Sequence, residues 1–192
     1  QNLDFCIQTI FMKAQDLIEE LIQLTQKNLN EVQAFKELPM ELLNQKPNAK
    51  SWSILECIEH LNRYGDFYIP EIKNQLEKST HKKSEVFNSG ILGNYFAKSM
   101  LPKEKLNKMK TFKSMNPLNC SLNKSVLDKF IYHQEQILKL LEKSKTSDLT
   151  RIKTSISISK WINLRLGDTL RVVVYHNLRH IKQAERILKI PA

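Results

Sequence analysis

Glycine and proline are scarce in this sequence, with four and six among 192 residues. These two residues form most tight turns, so their scarcity argues against a many-stranded sheet and favours long helices. Apolar residues make up 41% of the chain. A chain of this length and composition can build a sizeable core. We therefore expect one all-α domain spanning residues 1–192.

Cysteine is also scarce, and Cys6, Cys57 and Cys120 fit neither a disulfide framework nor a zinc motif. We interpret them as small apolar residues of a protein kept in a reducing compartment. The sequence shows no signal peptide and no apolar run of membrane-spanning length. These absences predict a cytoplasmic protein that has no membrane partner.

The charge is unbalanced, with a formal net charge of +10. Residues 98–113 concentrate six lysines around one glutamate, which is typical of a solvated loop or of an anion-binding loop. Nucleic-acid modules usually combine such a patch with arginine and aromatic residues. Only Phe112 meets that description here, so no nucleic-acid partner is expected.

The spacing of apolar residues predicts four long helices. Their predicted ranges are 2–36, 53–78, 123–144 and 168–188. Ser53 and Glu56 have the spacing of a capping box at the start of the second helix, and Trp52 before them can pack on its first turns. Pro70 predicts a kink or irregularity at residues 66–70. Asp168 is the predicted cap of the fourth helix.

The segments between these helices are long. Residues 37–50 form a connector with room for one helical turn, and residues 79–121 include a possible short helix, ILGNYFAKSML. Residues 145–166 are mixed in character. The stretch ISISKWINLRLG alternates like a strand, but no partner strand is in view, so we expect an extended crossover. Four long helices with two long connections predict a four-helix bundle of the crossover type.

His176 and His180 lie four residues apart in YHNLRHIKQAERIL. Residues at this spacing share one face of a helix, so both imidazoles can bind one divalent ion. Asn177 follows the first histidine, which excludes the H-E-x-x-H motif of zinc proteases. An H-x-x-x-H pair alone also occurs by chance on surface helices.

The remaining histidines offer a possible third ligand. His60 lies within the second helix between Ile58 and Leu61, and three imidazoles with an open position form a recognised catalytic metal site. Spacing alone favours a structural or surface role for His60. His133 on the third helix competes with it for the same cavity. His81 lies in a polar loop and is expected to be solvated.

The two segments SWSILECIEHLNRYGDFYIPEI and GDTLRVVVYHNLRHIKQAERIL resemble the DinB/YfiT-like superfamily of metal-binding four-helix bundles. The resemblance implies that His60, His176 and His180 bind the metal, with Gln183 in the glutamine position that often follows. It implies zinc or nickel as the cofactor. Asn177 departs from the acidic residue common at its position, which implies altered surroundings of the metal ligands.

Characterised members of this superfamily include thiol-dependent transferases and isomerases. The resemblance therefore implies that a metal-activated thiol of the bacillithiol, mycothiol or glutathione type attacks an electrophilic substrate. A related metal-dependent hydrolase is the other enzyme that it allows. Glu56 and Gln183 are the candidate catalytic residues, although Glu56 also has the capping role. Trp52, Tyr64 and Phe67 are expected to line the pocket.

The alternative is a stress-associated bundle whose metal is not catalytic and which serves as a binding or dimerising module, for example as a homodimer. A closed site with a fourth protein ligand, such as His133 or Cys57, would favour this alternative. An open position reached by a pocket would favour the enzyme.

Overall fold

The computed structural model describes residues 11–102 and 111–189. The predicted all-α class is confirmed, and the four long helices are α1 (Ala14–Phe35), α3 (Ile54–Lys78), α5 (Ser125–Ser144) and α6 (Leu166–Ile187). Two short helices lie in the connections, α2 (Met40–Asn44) and α4 (Ile91–Met100). Residues 2–10 of the predicted first helix, Cys6, and residues 103–110 of the lysine-rich segment lie outside the described residues.

The start of α3 follows the predicted capping box. The backbone N–H of Glu56 donates to the Ser53 hydroxyl at 3.2 Å, and the Ser53 N–H donates to the Glu56 carboxylate at 2.8 Å. Both backbone N–H groups would otherwise lack a hydrogen-bond partner at the start of the helix. The helix then continues unbroken through Pro70, so the irregularity predicted at residues 66–70 does not interrupt it.

A short strand replaces the predicted start of the first helix. Phe11–Lys13 form β1, which pairs antiparallel with β2 (Val86–Asn88). The prediction that helix already covers residues 11–13 was therefore wrong. The Ala14 N–H donates to the Glu85 carbonyl at 2.9 Å, so the chain enters α1 from a strand that another segment fixes in place.

The segment before α6 is a hairpin of β3 (Lys153–Ile156) and β4 (Ser159–Arg165). The prediction of an extended crossover without a partner strand was wrong. The partner is the next stretch of the same segment, and the pairing shifts register between Ser155 and Ile156. The turn contains no glycine or asparagine, so the usual hairpin signal is missing from the sequence.

Asp168 does not cap α6, because the helix begins earlier, at Leu166, with Arg165 in the cap position. The Asp168 carboxylate instead accepts hydrogen bonds from the Ser89 hydroxyl and from the Gly90 N–H. It also pairs with Arg171 at 3.3 Å. The predicted cap is thus a buried anchor that ties α6 to the start of α4.

A polar layer divides the bundle core. One apolar cluster includes Leu17 of α1 and Leu141 of α5, and the other includes Val32 and Leu127 of the same helices. Between them all four long helices place buried polar residues, which are Thr25, Asn28, His60, Asn62, His133, Gln134, His176, Asn177 and Arg179. Buried polar groups cost free energy unless they are paired or bind a ligand. The middle of the bundle is therefore where a functional site is expected.

Within the described part of the chain, no helix is both long and apolar enough to cross a membrane.

Candidate metal centre

Three histidines from α3 and α6 meet in the polar layer. His60, His176 and His180 each offer one ring nitrogen, and these nitrogens all lie within 4.8 Å of one another. The Nε2 atoms of His60 and His176 are 3.2 Å apart. His60 and His176 are buried, with 3% and 9% of their surface exposed, and His180 is half-buried. The structure thus brings together the three predicted ligands.

Hydrogen bonds at the far side of two rings set which nitrogen faces the centre. The Nδ1 of His60 lies 2.7 Å from the Met115 carbonyl oxygen, and the Nδ1 of His180 lies 3.0 Å from Oε1 of Gln183. Both partners are acceptors, so each Nδ1 carries the hydrogen. In a neutral imidazole the other nitrogen, Nε2, then has its lone pair free to bind a cation.

Burial keeps these rings neutral. It lowers the pKa of His60 to about 4, against the hydrogen bond to Met115, which acts in the opposite direction. Burial also lowers the pKa of His176 and of His180 well below the ordinary value, and the neighbouring imidazoles lower both further. Protonation would place positive charges side by side in a site shielded from water. All three rings are therefore in the ligand form at neutral pH.

The donor set fits a divalent transition metal. Zinc–nitrogen bonds of about 2.0–2.1 Å in a tetrahedral arrangement place ligand nitrogens about 3.3 Å apart. The 3.2 Å between His60 and His176 is close to that value. Imidazole nitrogen suits zinc and nickel, whereas magnesium and calcium prefer oxygen.

A cavity of about 770 Å³ reaches the three histidines. Trp52 and Tyr64 line it: the Trp52 ring lies 4.6 Å from that of His60, and the Tyr64 ring lies 4.8 Å from that of His176. Phe67 does not share this position. It packs edge-on against Tyr68 at 5.0 Å as part of the larger apolar cluster and is not among the cavity-lining residues of the described chain.

The carboxylate of Glu56 points to the helix cap rather than to the histidines. Besides the Ser53 N–H, it accepts from the Asn119 N–H at 2.6 Å and from Lys46 at 2.7 Å. These contacts join the helix cap to the connector at Lys46 and to the loop at Asn119. Gln183, the other catalytic candidate, contacts the candidate ligand His180 directly.

The suggested fourth ligands do not join the centre. His133 lines the cavity, but its Nε2 faces Asp66 at 3.4 Å. Cys57 is fully buried, and burial raises the pKa of its thiol, which keeps it protonated. His81 lies in an exposed loop, as predicted. Among the described residues, only the three histidines form a group that could hold a metal ion.

Asn177 belongs to the polar layer rather than to the ligand set. Its amide donates to Oε1 of Gln134 at 3.1 Å. An acidic side chain here would bring a negative charge into the buried layer beside His176. In this chain a neutral hydrogen bond between α6 and α5 takes its place.

Sequence reasoning missed the loop that supports His60. Met115 ends a 3-10 turn (Lys113–Met115), and Arg63 donates to the carbonyls of Ser114 and Asn116 at 3.2 and 3.1 Å. The Trp52 indole N–H donates to the Asn116 side chain at 3.0 Å. The contact with His60 is made by a backbone carbonyl, for which residue identity gives no signal.

A bundle of four long helices whose facing helices direct three histidines into a cavity defines a class of helical-bundle metal proteins. Comparison with family models assigns this chain more closely. The model of the DinB superfamily matches residues 21–184, a range that contains all three histidines and most of the four long helices. The chain therefore belongs to the DinB superfamily. Comparisons with curated proteins and with solved structures found no match.

Proposed function

We propose that this protein binds a divalent metal ion, zinc or nickel, through His60, His176 and His180. We further propose that it is a transferase that joins a low-molecular-weight thiol of the bacillithiol, mycothiol or glutathione type to an electrophilic carbon. The observation that carries the proposal is the open side of the three-histidine group, which faces a cavity of about 770 Å³. A cavity of this size accepts a small organic molecule.

The described part of the chain places no fourth protein ligand at the centre, which supports catalysis over a purely structural metal. Structural zinc sites are usually closed by four protein ligands, whereas catalytic sites keep a position for water or substrate. Within the described residues, neither His133 nor Cys57 belongs to the group. A metal ion in this centre would lower the pKa of a thiol that occupies its open position, so that the thiol is deprotonated at neutral pH.

In the proposed reaction with an alkyl halide, a sulfur–carbon bond forms and the carbon–halogen bond breaks. The halide leaves with the bonding electron pair, and the thiol proton passes to solvent. The chain supplies neutral imidazoles held by Met115 and Gln183, together with the aromatic walls of Trp52 and Tyr64, which limit access of water. The thiol and the electrophile are then held next to each other, which lowers the entropic part of the barrier.

Metal analysis of protein purified without chelator tests the first half of the proposal. We expect about one zinc or nickel ion per chain in the wild type and nearly none in His176→Ala. His81→Ala is the matched control, since His81 lies in an exposed loop, and it should retain the metal. Equal metal content in His176→Ala and the wild type would overturn the site.

Thiol consumption tests the second half. Each thiol is incubated with an alkyl bromide, and loss of free thiol is followed with and without protein. We expect acceleration with at least one thiol by the wild type and by His81→Ala, and none by His176→Ala. A metal-loaded wild type that accelerates none of the three thiol classes would overturn the transferase and leave the non-catalytic metal-binding bundle.

A further inference from the structure

The cavity extends well beyond the three histidines. His60, Tyr64 and Tyr68 follow one another at four-residue steps along α3, and all three line the cavity. With a rise of 1.5 Å per residue, Tyr68 lies about 12 Å along the helix from His60. Val172, one turn before His176 on α6, also lines the cavity. The cavity thus continues from the metal centre toward the hairpin and α4.

Each element that surrounds this extension contributes an apolar side chain to its wall, beside polar groups such as the Tyr68 hydroxyl and Ser157. We call it the apolar arm and define it by Tyr68, Phe96, Ile137, Ile156, Leu164 and Val172. At the far end the Ser157 N–H of the hairpin turn donates to the Tyr68 hydroxyl at 3.3 Å. A ligand in the arm would exchange water for hydrocarbon over most of its surface.

The other end of the cavity has a different character. There most of the wall residues are polar, although Phe112 and Leu118 also line it. They belong to the connector before α3, the loop around Lys113 and the end of α6, and the polar ones include Asn48, Lys50, Ser51, Asn116 and Gln183. Trp52 lies between this end and the centre, with its ring 5.6 Å from that of His180. The three histidines therefore separate a polar end from an apolar end.

We infer that the electrophile is an apolar molecule, with an alkyl or aryl tail in the apolar arm and its reactive carbon at the histidines, while the polar thiol enters from the opposite end. This inference rests on the proposed function for the chemistry. The binding of an apolar tail rests only on the walls of the cavity. A charged or sugar-like substrate would leave its polar groups without partners among these side chains.

The test uses the full chain as purified and the straight-chain alcohols from 1-butanol to 1-nonanol, whose binding is measured by calorimetry. Each added methylene that enters the arm should tighten binding about fourfold, until the arm is full. The same series is repeated after the metal has been removed with chelator. The dependence on chain length should persist, because the arm lies away from the ligand nitrogens.

Two variants locate the binding. Val172→Phe narrows the arm and should weaken 1-octanol binding at least tenfold while 1-butanol is little affected. Val86→Phe is the matched control, since Val86 is 43% exposed on β2, and it should bind like the wild type. Phe96→Ala enlarges the arm and should move the optimum to a longer alcohol. This second variant keeps the test decisive if Val172→Phe does not fold.

The results of these experiments distinguish the proposed binding of an apolar tail from the proposed thiol transfer. Two results would contradict binding of an apolar tail in the arm, even where short alkyl bromides react with thiol. One is an alcohol affinity that does not depend on chain length. The other is that Val172→Phe and Phe96→Ala bind the alcohol series as the wild type does. Length-dependent binding that the variants shift supports the arm even where no thiol reacts, and in that case only the transferase proposal fails.

Discussion

The Nε2 atoms of His60 and His176 lie 3.2 Å apart, although 116 residues separate them in the chain. The Nδ1 hydrogen of His60 is directed at the Met115 carbonyl, so its Nε2 presents a lone pair to His176. The chain's own contacts therefore orient the histidine pair, which limits the conformational freedom that these side chains can lose on binding. Substitution of the residues that orient these rings therefore tests the centre as directly as substitution of the histidines does.

Arg63 supports the centre without touching it. Its guanidinium donates to the carbonyls on both sides of Met115, and Met115 orients His60. We expect Arg63→Ala to weaken metal affinity about 10- to 100-fold, as is typical when a partner of a metal ligand is lost. Competition with a chromophoric chelator measures this affinity. Arg151→Ala, at a side chain 73% exposed, should leave it unchanged, and an equal loss in both variants would contradict the role of Arg63.

Substitution of Glu56 distinguishes its role in capping α3 from a role in catalysis. Because its carboxylate binds two backbone N–H groups and Lys46, Glu56→Gln should lower the free energy of unfolding by roughly 1–3 kcal/mol. Urea denaturation gives that value. Metal content and the rate of thiol consumption should stay at the wild-type level at a temperature where the variant is folded. Ser53→Ala, which removes the other half of the cap, is the matched control. A rate loss of Glu56→Gln alone would restore its catalytic role.

Gly65 leaves room for His133. A methyl group at Gly65 would lie 2.5 Å from the His133 Nδ1, which is too close for any non-bonded pair. Gly65→Ala should therefore destabilise the fold by about 1–3 kcal/mol, although alanine is the better helix former. In a His133→Ala background the same change should become neutral or stabilising. Thermal or urea unfolding of the four proteins measures this coupling, and stabilisation by Gly65→Ala alone would show that His133 yields easily.

Asp168 and Arg171 form a buried ion pair, with 0% and 6% of their side chains exposed. Asp168→Ala leaves Arg171 with an uncompensated charge and removes the acceptor for Gly90, so we expect a loss of about 3–5 kcal/mol in urea unfolding. Asp128→Ala breaks a surface pair with Lys36, in which the Asp128 side chain is 57% exposed, and should cost less than about 1 kcal/mol. Similar losses for the two variants would mean that water reaches the Asp168 pair.

The helices were predictable because their signals are local. The apolar spacing of α3 and its Ser53–Glu56 cap are contained within a few residues, and the structure has both as predicted. The hairpin before α6 was not predictable as a pair of strands, because strand pairing depends on a partner and the turn lacks a typical dipeptide. Asp168 shows the same limit: at its position a cap is the local expectation, but Ser89 and Gly90, far away in sequence, bind it instead.

The sequence by itself determined the long helices, the capping box and the His176–His180 pair, because helical periodicity and histidine spacing are properties of short segments. Only the tertiary structure decided that His60 rather than His133 meets His176 and His180, since that choice depends on how α3 and α5 pack against α6. It also decided that Glu56 serves the helix cap, that Phe67 lies outside the cavity wall, and that an apolar arm adjoins the centre. Each of these features depends on contacts between segments that are distant in the sequence. Such contacts form only when the helices and loops pack together, so a local sequence pattern does not predict them.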